Sequence, residues 1–162
     1  MPKLAEHQSK GTTKLLFVGD SGAGKTGALA SLAAAGYNLH IMDMDNGLDV
    51  LKNLLTDPKS QYVIADPKCA DRVDFVTITD KMKNINGRLV PATATSWTRA
   101  MKLLMDWTDG TTKYGPVTTW GQNDILVIDS LTMLSTAALN MILSMNGRLG
   151  QRPHQSDWGD GQ

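Results

Sequence analysis

The sequence predicts an α/β fold in which a mostly parallel sheet is flanked by helices. Short runs that are apolar throughout, as in strands buried on both faces, alternate with segments of helical character. A glycine-rich loop joins the first apolar run, residues 14–18, to the first of those helical segments. The chain has 162 residues and a hydrophobic content of 41%, which suits one domain with a substantial core.

The predicted elements divide the chain into a polar N-terminal tail, residues 1–13, and one domain, residues 14–162. Apolar runs predict strands at 14–18, 39–42, 74–78 and 124–128. Helical patterns cover 26–35, 48–55, about 96–107 and 131–145. A small hairpin is expected around Asn86-Gly87, because this dipeptide favours a tight turn between strands. The segments 108–122 and 148–162 are polar, and we expect loops there.

The loop after the first apolar run fits the pattern G-x-x-x-x-G-K-[ST] at every fixed position, with the sequence Gly19-Asp20-Ser21-Gly22-Ala23-Gly24-Lys25-Thr26. Its glycines let successive backbone N–H groups point at phosphate oxygens, and the N-terminal end of the next helix adds partial positive charge. Lys25 can reach the β and γ phosphates, and the Thr26 hydroxyl can bind Mg²⁺. The loop therefore predicts binding of a nucleoside triphosphate.

Aspartates follow two of the predicted strands at their carboxyl ends, where parallel sheets bind ligands. Asp129 closes the run 125–128, and an aspartate at this place binds Mg²⁺ in enzymes with such a loop. Asp43 and Asp45 can cap the next helix, and one of them can instead orient the water that attacks the γ phosphate. We favour the capping role for Asp43 and the water-orienting role for Asp45. Apart from Glu6 in the tail, every acidic residue is aspartate.

Three segments together resemble the core of the RecA-type P-loop ATPases: residues 19–26, residues 41–49 (Ile-Met-Asp-Met-Asp-Asn-Gly-Leu-Asp) and residues 127–132 (Val-Ile-Asp-Ser-Leu-Thr). Within that class, the chain resembles the phage-encoded RecA-like nucleotide-binding proteins, which include the Sak-type single-strand annealing recombinases. The resemblance implies a RecA-like core that uses ATP and Mg²⁺ and acts in phage DNA recombination or single-strand annealing. It places Asp45 where the family has a water-activating glutamate, which is one methylene longer.

The resemblance also implies partners and a location. RecA-like motors complete their site with a residue from the next subunit, so a homo-oligomeric ring or filament is expected, with single-stranded DNA as partner. Arg148 and Arg152 lie where the first DNA-contacting loop of such proteins begins. The expected compartment is the cytoplasm, that of the host cell if the protein is phage-encoded.

Charge and apolar patterning limit the other classes. Basic and acidic residues are equal, 16 each, so no overall positive field draws the chain to nucleic acid. Residues 81–105 nevertheless carry five basic side chains and no acidic one. A solvated basic face explains this run better than a nucleic-acid track, and contact with an acidic patch on a neighbouring subunit is a further alternative.

No apolar stretch is long enough to span a membrane. The single cysteine, Cys69, favours a reduced, intracellular setting.

Two other functions share the phosphate loop. A nucleoside or nucleotide kinase needs an acceptor pocket and an arginine-rich lid, for which Arg148 and Arg152 are candidates. A nucleotide-dependent binding module with little turnover is favoured by the absence of the family glutamate.

RecA-type sheets also place one later strand between the loop strand and the magnesium-aspartate strand. We therefore expect 14–18 and 124–128 not to pair, and the chain to be the front part of a longer functional protein.

Overall fold

The computed structural model describes residues 14–20 and 22–160, so the predicted tail and Ser21 lie outside the described residues. The strands are β1 (Asn38–Asp43), β2 (Val73–Thr77), β3 (Met82–Ile85), β4 (Arg88–Pro91), β5 (Trp107–Thr108), β6 (Lys113–Gly115) and β7 (Asp124–Asp129). The α-helices are α1 (Lys25–Ala34), α2 (Asp49–Thr56), α3 (Gln61–Ala65), α4 (Ser96–Met105), α5 (Leu131–Met145) and α6 (Gln155–Asp160). Short 3-10 helices occupy Cys69–Arg72 and Val117–Thr119.

The main sheet has three parallel strands in the order β2–β1–β7. Its middle strand, β1, is almost completely buried, as an apolar strand covered on both faces should be. The register pairs Asp43 at the end of β1 with Thr77 on one side and with Asp129 on the other. The carboxyl ends of all three strands therefore meet at one edge of the sheet.

Helices cover both faces of this sheet, which confirms the predicted α/β class. On one face, Leu39 and Ile41 of β1 pack in a cluster with Leu29 of α1 and Leu51 of α2. On the other face, Met42 packs in a second cluster to which α4 and α5 contribute the side chains Ala100, Leu103, Leu134 and Ala137. Successive strand residues point to opposite faces, so each apolar strand residue supplies one of the two clusters.

The predicted strand at 14–18 is wrong. These residues have no regular structure, and Leu15 and Val18 are 72% and 85% exposed. Among the described residues β7 pairs only with β1, and residues 14–18 do not pair with its free outer edge. A strand requires a hydrogen-bonded neighbour as well as apolar residues. Residues 14–18 and 124–128 do not pair, as expected, but the loop strand is missing from the sheet as well.

Two small antiparallel hairpins stand apart from the main sheet. The first joins β3 and β4 through Asn86 and Gly87, both with positive φ (52° and 81°), and was predicted from this dipeptide. The second pairs β5 with β6, where the end of the helix predicted to about residue 107 and the loop 108–122 were expected. The short helices α3 and α6 were not predicted either. In the part of the chain that the structure describes, no helix combines the length and apolar character needed to cross a bilayer.

Candidate functional site

The glycine loop adopts a turn that its glycines allow. Gly22 and Gly24 have φ values of 83° and 84°, in the left-handed region that side chains with a Cβ disfavour. At Gly19 space is short, because a Cβ there would lie 3.0 Å from the Cβ of Ala23 and would force a small shift. The N–H of Ala23 donates to the carbonyl of Asp20 at 3.2 Å and closes the turn. Each glycine of the pattern thus has a local steric reason.

Lys25 is held across this loop. Its Nζ donates to the backbone carbonyls of Gly19 at 2.6 Å and Asp20 at 2.8 Å. An ammonium group has three protons, so one remains for a further acceptor. The first hydrogen bond of α1 runs from the N–H of Ala28 to the carbonyl of Gly24 at 3.1 Å. The N–H groups of residues 25–27 therefore lie free of the helix ladder, beside a localised positive charge.

The carboxyl edge of the sheet places Asp129 on the side of the loop. Alternation puts Asp129 on the same face of β7 as Ile125 and Val127, which pack against the cluster that contains α1. The loop immediately precedes α1, so the predicted phosphate and magnesium residues lie toward the same face of the sheet. The peptide bond between Asp129 and Ser130 is cis.

Asp43 is a structural residue of this edge. Its Oδ2 accepts from the Thr77 hydroxyl at 3.0 Å, and its Oδ1 accepts from the N–H of Gly47 at 3.2 Å. The side chain is only 2% exposed. Both carboxylate oxygens thus hold the end of β1 and the turn after it. The predicted role of Asp43 as a cap of α2 is wrong, because Leu48 is the N-cap residue and no described side chain caps this helix.

Asp45 differs from Asp43 in both exposure and bonding. It lies in the exposed turn after β1, and Oδ1 accepts from the Ser130 hydroxyl at 3.4 Å, a long contact. Its carboxylate therefore keeps most of its capacity to accept from water. Ser130 directly follows Asp129, so this contact connects Asp45 to the tip of β7. Ser130 and Thr77 were not predicted as partners, although both stand at strand ends beside the expected carboxylates.

The electrostatics of Asp129 favour a bound cation. Burial raises the pKa of Asp129, and the nearby Asp45 and Asp43 carboxylates raise it further, while Lys25 opposes them. Three carboxylates around one strand end repel each other, and a divalent cation relieves that repulsion. The described residues contain no group of three or more His, Cys, Asp or Glu side chains arranged to hold a metal by themselves. The donors Thr26 and Asp129 fit Mg²⁺, which takes only one or two protein ligands beside phosphate oxygens and water.

The two arginines expected to meet DNA have different environments. Arg148 forms an ion pair with Asp157, which is 1% exposed and also accepts from the N–H of His154 at 2.6 Å. Arg152 is exposed and makes no ion pair among the described residues. The geometry gives Arg148 a structural task in fastening α6, whereas Arg152 keeps its charge toward solvent.

Comparisons with known proteins give no match for this chain among protein-family models, curated proteins or solved structures.

Proposed function

We propose that the chain is a Mg²⁺-dependent ATPase of the RecA type that acts on single-stranded DNA in phage recombination or annealing. The observation that carries the proposal is the loop 19–26, in which Gly22 and Gly24 have left-handed φ values and Lys25 bonds back across the loop, on the same face as Asp129. A turn of backbone N–H groups, a lysine and a helix N-terminus together make a site for phosphate.

Each residue has a distinct task in this proposal. Lys25 donates to β and γ phosphate oxygens and offsets the charge that builds up as the γ phosphate leaves. Thr26 and Asp129 hold Mg²⁺, which supplies charge neutralisation across the β and γ phosphates when bound. The open carboxylate of Asp45 orients the attacking water. Asp43 keeps the turn that carries Asp45 in place through Thr77 and Gly47.

Assembly into a ring or filament is part of the proposal. Leu15, Leu16 and Val18 form an exposed apolar run directly before the loop. In the described part of the chain, the outer edges of β7 and β2 have no paired strand. Exposed apolar runs and unpaired strand edges favour association with another chain, and a self-associated state covers them. A cytoplasmic setting, that of the host if the chain is phage-encoded, is where ATP and such DNA meet.

Phosphate release measured with and without single-stranded DNA tests the proposal. We expect slow release that needs both ATP and Mg²⁺ and rises when an oligonucleotide is added. The kinase alternative predicts turnover only with a nucleoside or nucleotide acceptor. The ion pair between Arg148 and Asp157 disfavours this alternative, because it engages one of the two candidate lid arginines. Turnover that depends on an acceptor and ignores DNA would overturn the ATPase proposal.

A binding module with little turnover is the second candidate. One observation favours it: the water-orienting carboxylate has the shorter aspartate side chain and is held only by the 3.4 Å contact from Ser130. A loosely held base at longer reach lowers the hydrolysis rate without lowering nucleotide affinity. Mg²⁺-ATP binding without phosphate release, with or without DNA, would select this candidate.

A further inference from the structure

Two basic segments that are far apart in sequence lie against each other. Gly150 packs on the hairpin β3–β4, where a Cβ on this glycine would be 3.3 Å from the Cβ of Val90. Its φ of 83° and this close approach both favour glycine at position 150, and the lack of a side chain lets the segment 148–152 lie beside the strand. The segment that carries Arg152 thus borders the hairpin that opens the basic run 81–105.

The pairing register places two hairpin cations on the face that meets this segment. Lys83 pairs with Val90, and Ile85 pairs with Arg88. Paired residues of an antiparallel ladder project to one side, and residues two apart on a strand share that side. Lys83 and Arg88 therefore share a hairpin face with Val90, which contacts Gly150.

These cations are not neutralised within the described residues. Lys83, Arg88 and Arg152 are exposed, and none of them makes an ion pair there. The nearest acidic residues in sequence are already engaged. Asp80 accepts from the N–H groups of Thr95 and Ser96, and Asp157 accepts from Arg148. Lys83, Arg88 and Arg152 therefore carry positive charge that no carboxylate of the described residues contacts, although the chain as a whole is neutral.

The base of the hairpin is fixed, which prepares its charges for a ligand. Asp80 Oδ1 accepts from the N–H of Thr95 at 2.8 Å, at the start of α4. On the other side, the N–H of Ala92 donates to the carbonyl of Lys81 at 2.7 Å, and the N–H of Lys81 donates to Thr93 Oγ1 at 3.0 Å. A surface that is rigid before binding loses less conformational entropy when the ligand arrives.

We propose that the hairpin β3–β4 and the segment 148–152 form one binding surface for the phosphate backbone of single-stranded nucleic acid. Lys83, Arg88 and Arg152 contact phosphates, while Ile85, exposed between two of them, offers an apolar surface to an unstacked base. Trp158, 54% exposed on the helix that Arg148 fastens, adds an aromatic side chain of the kind on which bases stack. The surface rests on the proposed DNA partner but not on ATP turnover.

The test is binding of a fluorescein-labelled thymidine oligonucleotide of about 20 nucleotides, longer than a typical single-domain site. Fluorescence anisotropy is recorded across a range of salt, with and without Mg²⁺ and a non-hydrolysable ATP analogue. The variant Lys83→Ala with Arg88→Ala removes the two hairpin contacts. The control Lys52→Ala with Lys59→Ala removes the same charge from exposed positions of α2 and the turn after it.

Two lost phosphate contacts should flatten the log–log salt slope by about 1.4 and weaken binding about 25-fold near 0.1 M salt. The control should change neither quantity. Unchanged affinity and slope in the hairpin variant would overturn the proposal, as would absence of oligonucleotide binding by the parent protein. Equal displacement by a poly-glutamate peptide would reassign the surface to an acidic protein and overturn it too.

The same titration on Lys25→Ala separates this proposal from the ATPase proposal. Without nucleotide, Lys25→Ala should bind the oligonucleotide as the parent does, because Lys25 is held in its own loop. If the hairpin variant binds the oligonucleotide as the parent does and the parent hydrolyses ATP, the surface proposal fails and the ATPase proposal stands. If the hairpin variant binds more weakly but the parent does not bind ATP, the ATPase proposal fails and the surface proposal stands. A Lys25→Ala protein that is folded by circular dichroism but does not bind the oligonucleotide would overturn the surface.

Discussion

His40 Nδ1 and Asp74 Oδ2 lie 2.5 Å apart inside the protein, on the neighbouring strands β1 and β2. On the opposite side of the ring, Nε2 lies 3.5 Å from Asp124 Oδ1 of β7. One imidazole that is 2% exposed therefore connects all three strands of the main sheet. Trp107 Nε1 donates to Asp74 at 2.7 Å, and the Trp120 ring lies over the imidazole at a centroid distance of 4.2 Å.

This arrangement makes fold stability depend on pH. Burial lowers the pKa of His40, but the hydrogen bond and charge of Asp74, followed by those of Asp124, outweigh it and hold the pKa above 6.5. The stabilisation from the charged ring is complete below pH 6.5 and is lost as pH rises through the folded-state pKa. Burial raises the pKa of Asp124, but the hydrogen bonds from Asn38, the Gly121 N–H and His40 outweigh this effect and lower the pKa overall. The contribution of Asp124 is therefore lost as pH falls through its folded-state value.

We therefore predict that the melting temperature falls as pH increases from about 6.5 to 9. His40→Gln should remove most of this decline and cost about 3 kcal/mol at pH 6, because it leaves the partly buried Asp74 without its cation. His154→Gln, at an exposed position, is the control and should keep the decline. Thermal unfolding followed by tryptophan fluorescence gives both results. A parent protein with a flat alkaline profile would refute the charged-ring interpretation.

Asp45→Asn should retain nucleotide binding and lose most hydrolysis, about 100-fold or more, because the amide cannot take up a proton from the attacking water. Asp43→Asn should instead lower stability by about 1–3 kcal/mol, since it disturbs the bonds from Thr77 and Gly47. Single-turnover phosphate release and chemical denaturation distinguish the two effects. Equal hydrolysis by Asp45→Asn and the parent would leave Asp45 without a catalytic role.

Arg148→Ala and Arg152→Ala should have separate effects. Arg148→Ala leaves Asp157 without its ion pair and should destabilise the region of α6. Arg152→Ala should leave the melting temperature unchanged and flatten the salt dependence of oligonucleotide binding by about 0.7, the slope of one phosphate contact. Hydrogen exchange of residues 146–160 and anisotropy titrations measure the two. If Arg152→Ala keeps the parent slope, this side chain makes no phosphate contact.

Leu15→Ser with Val18→Ser should shift the protein toward monomer. Each exposed apolar side chain that an interface covers contributes about 1–2 kcal/mol to association. Ile64→Ser is the control, because Ile64 is also exposed but lies on α3. Sedimentation velocity over a range of concentrations measures the shift. A parent protein that stays monomeric at every concentration would contradict the assembly proposal.

Local sequence patterns were sufficient where the element is defined by its own residues. The runs 39–42, 74–78 and 124–128 are apolar and short, and they became the three strands of the main sheet. The Asn86-Gly87 turn and helices α1, α2, α4 and α5 were likewise found from composition and periodicity. Residues 14–18 had an equally apolar pattern, but they pair with neither free edge of the sheet, so an apolar pattern alone did not determine strand pairing.

The polar interior was beyond local patterns for the same reason. His40 meets Asp124 across 84 positions of sequence and Asp74 across 34. The residues next to Asp74 and Asp124 do not mark either aspartate as a partner of histidine. The residues next to His40 likewise do not indicate which side chains it contacts. The phosphate loop was predictable because all its residues are consecutive. The partners Thr77 and Ser130 required the register of three strands, which only the folded chain supplies.

Equilibrium binding of a non-hydrolysable, fluorescent ATP analogue tests the central claim most directly. The comparison is between the parent, Lys25→Ala and the control Lys52→Ala, with Mg²⁺ and with EDTA. We predict Mg²⁺-dependent binding by the parent and the control. Binding should be about 100-fold weaker in Lys25→Ala, because a charge-assisted contact to phosphate contributes roughly 1.5–3 kcal/mol. Equal affinity of Lys25→Ala and the parent, or no binding by the parent, would refute the phosphate site.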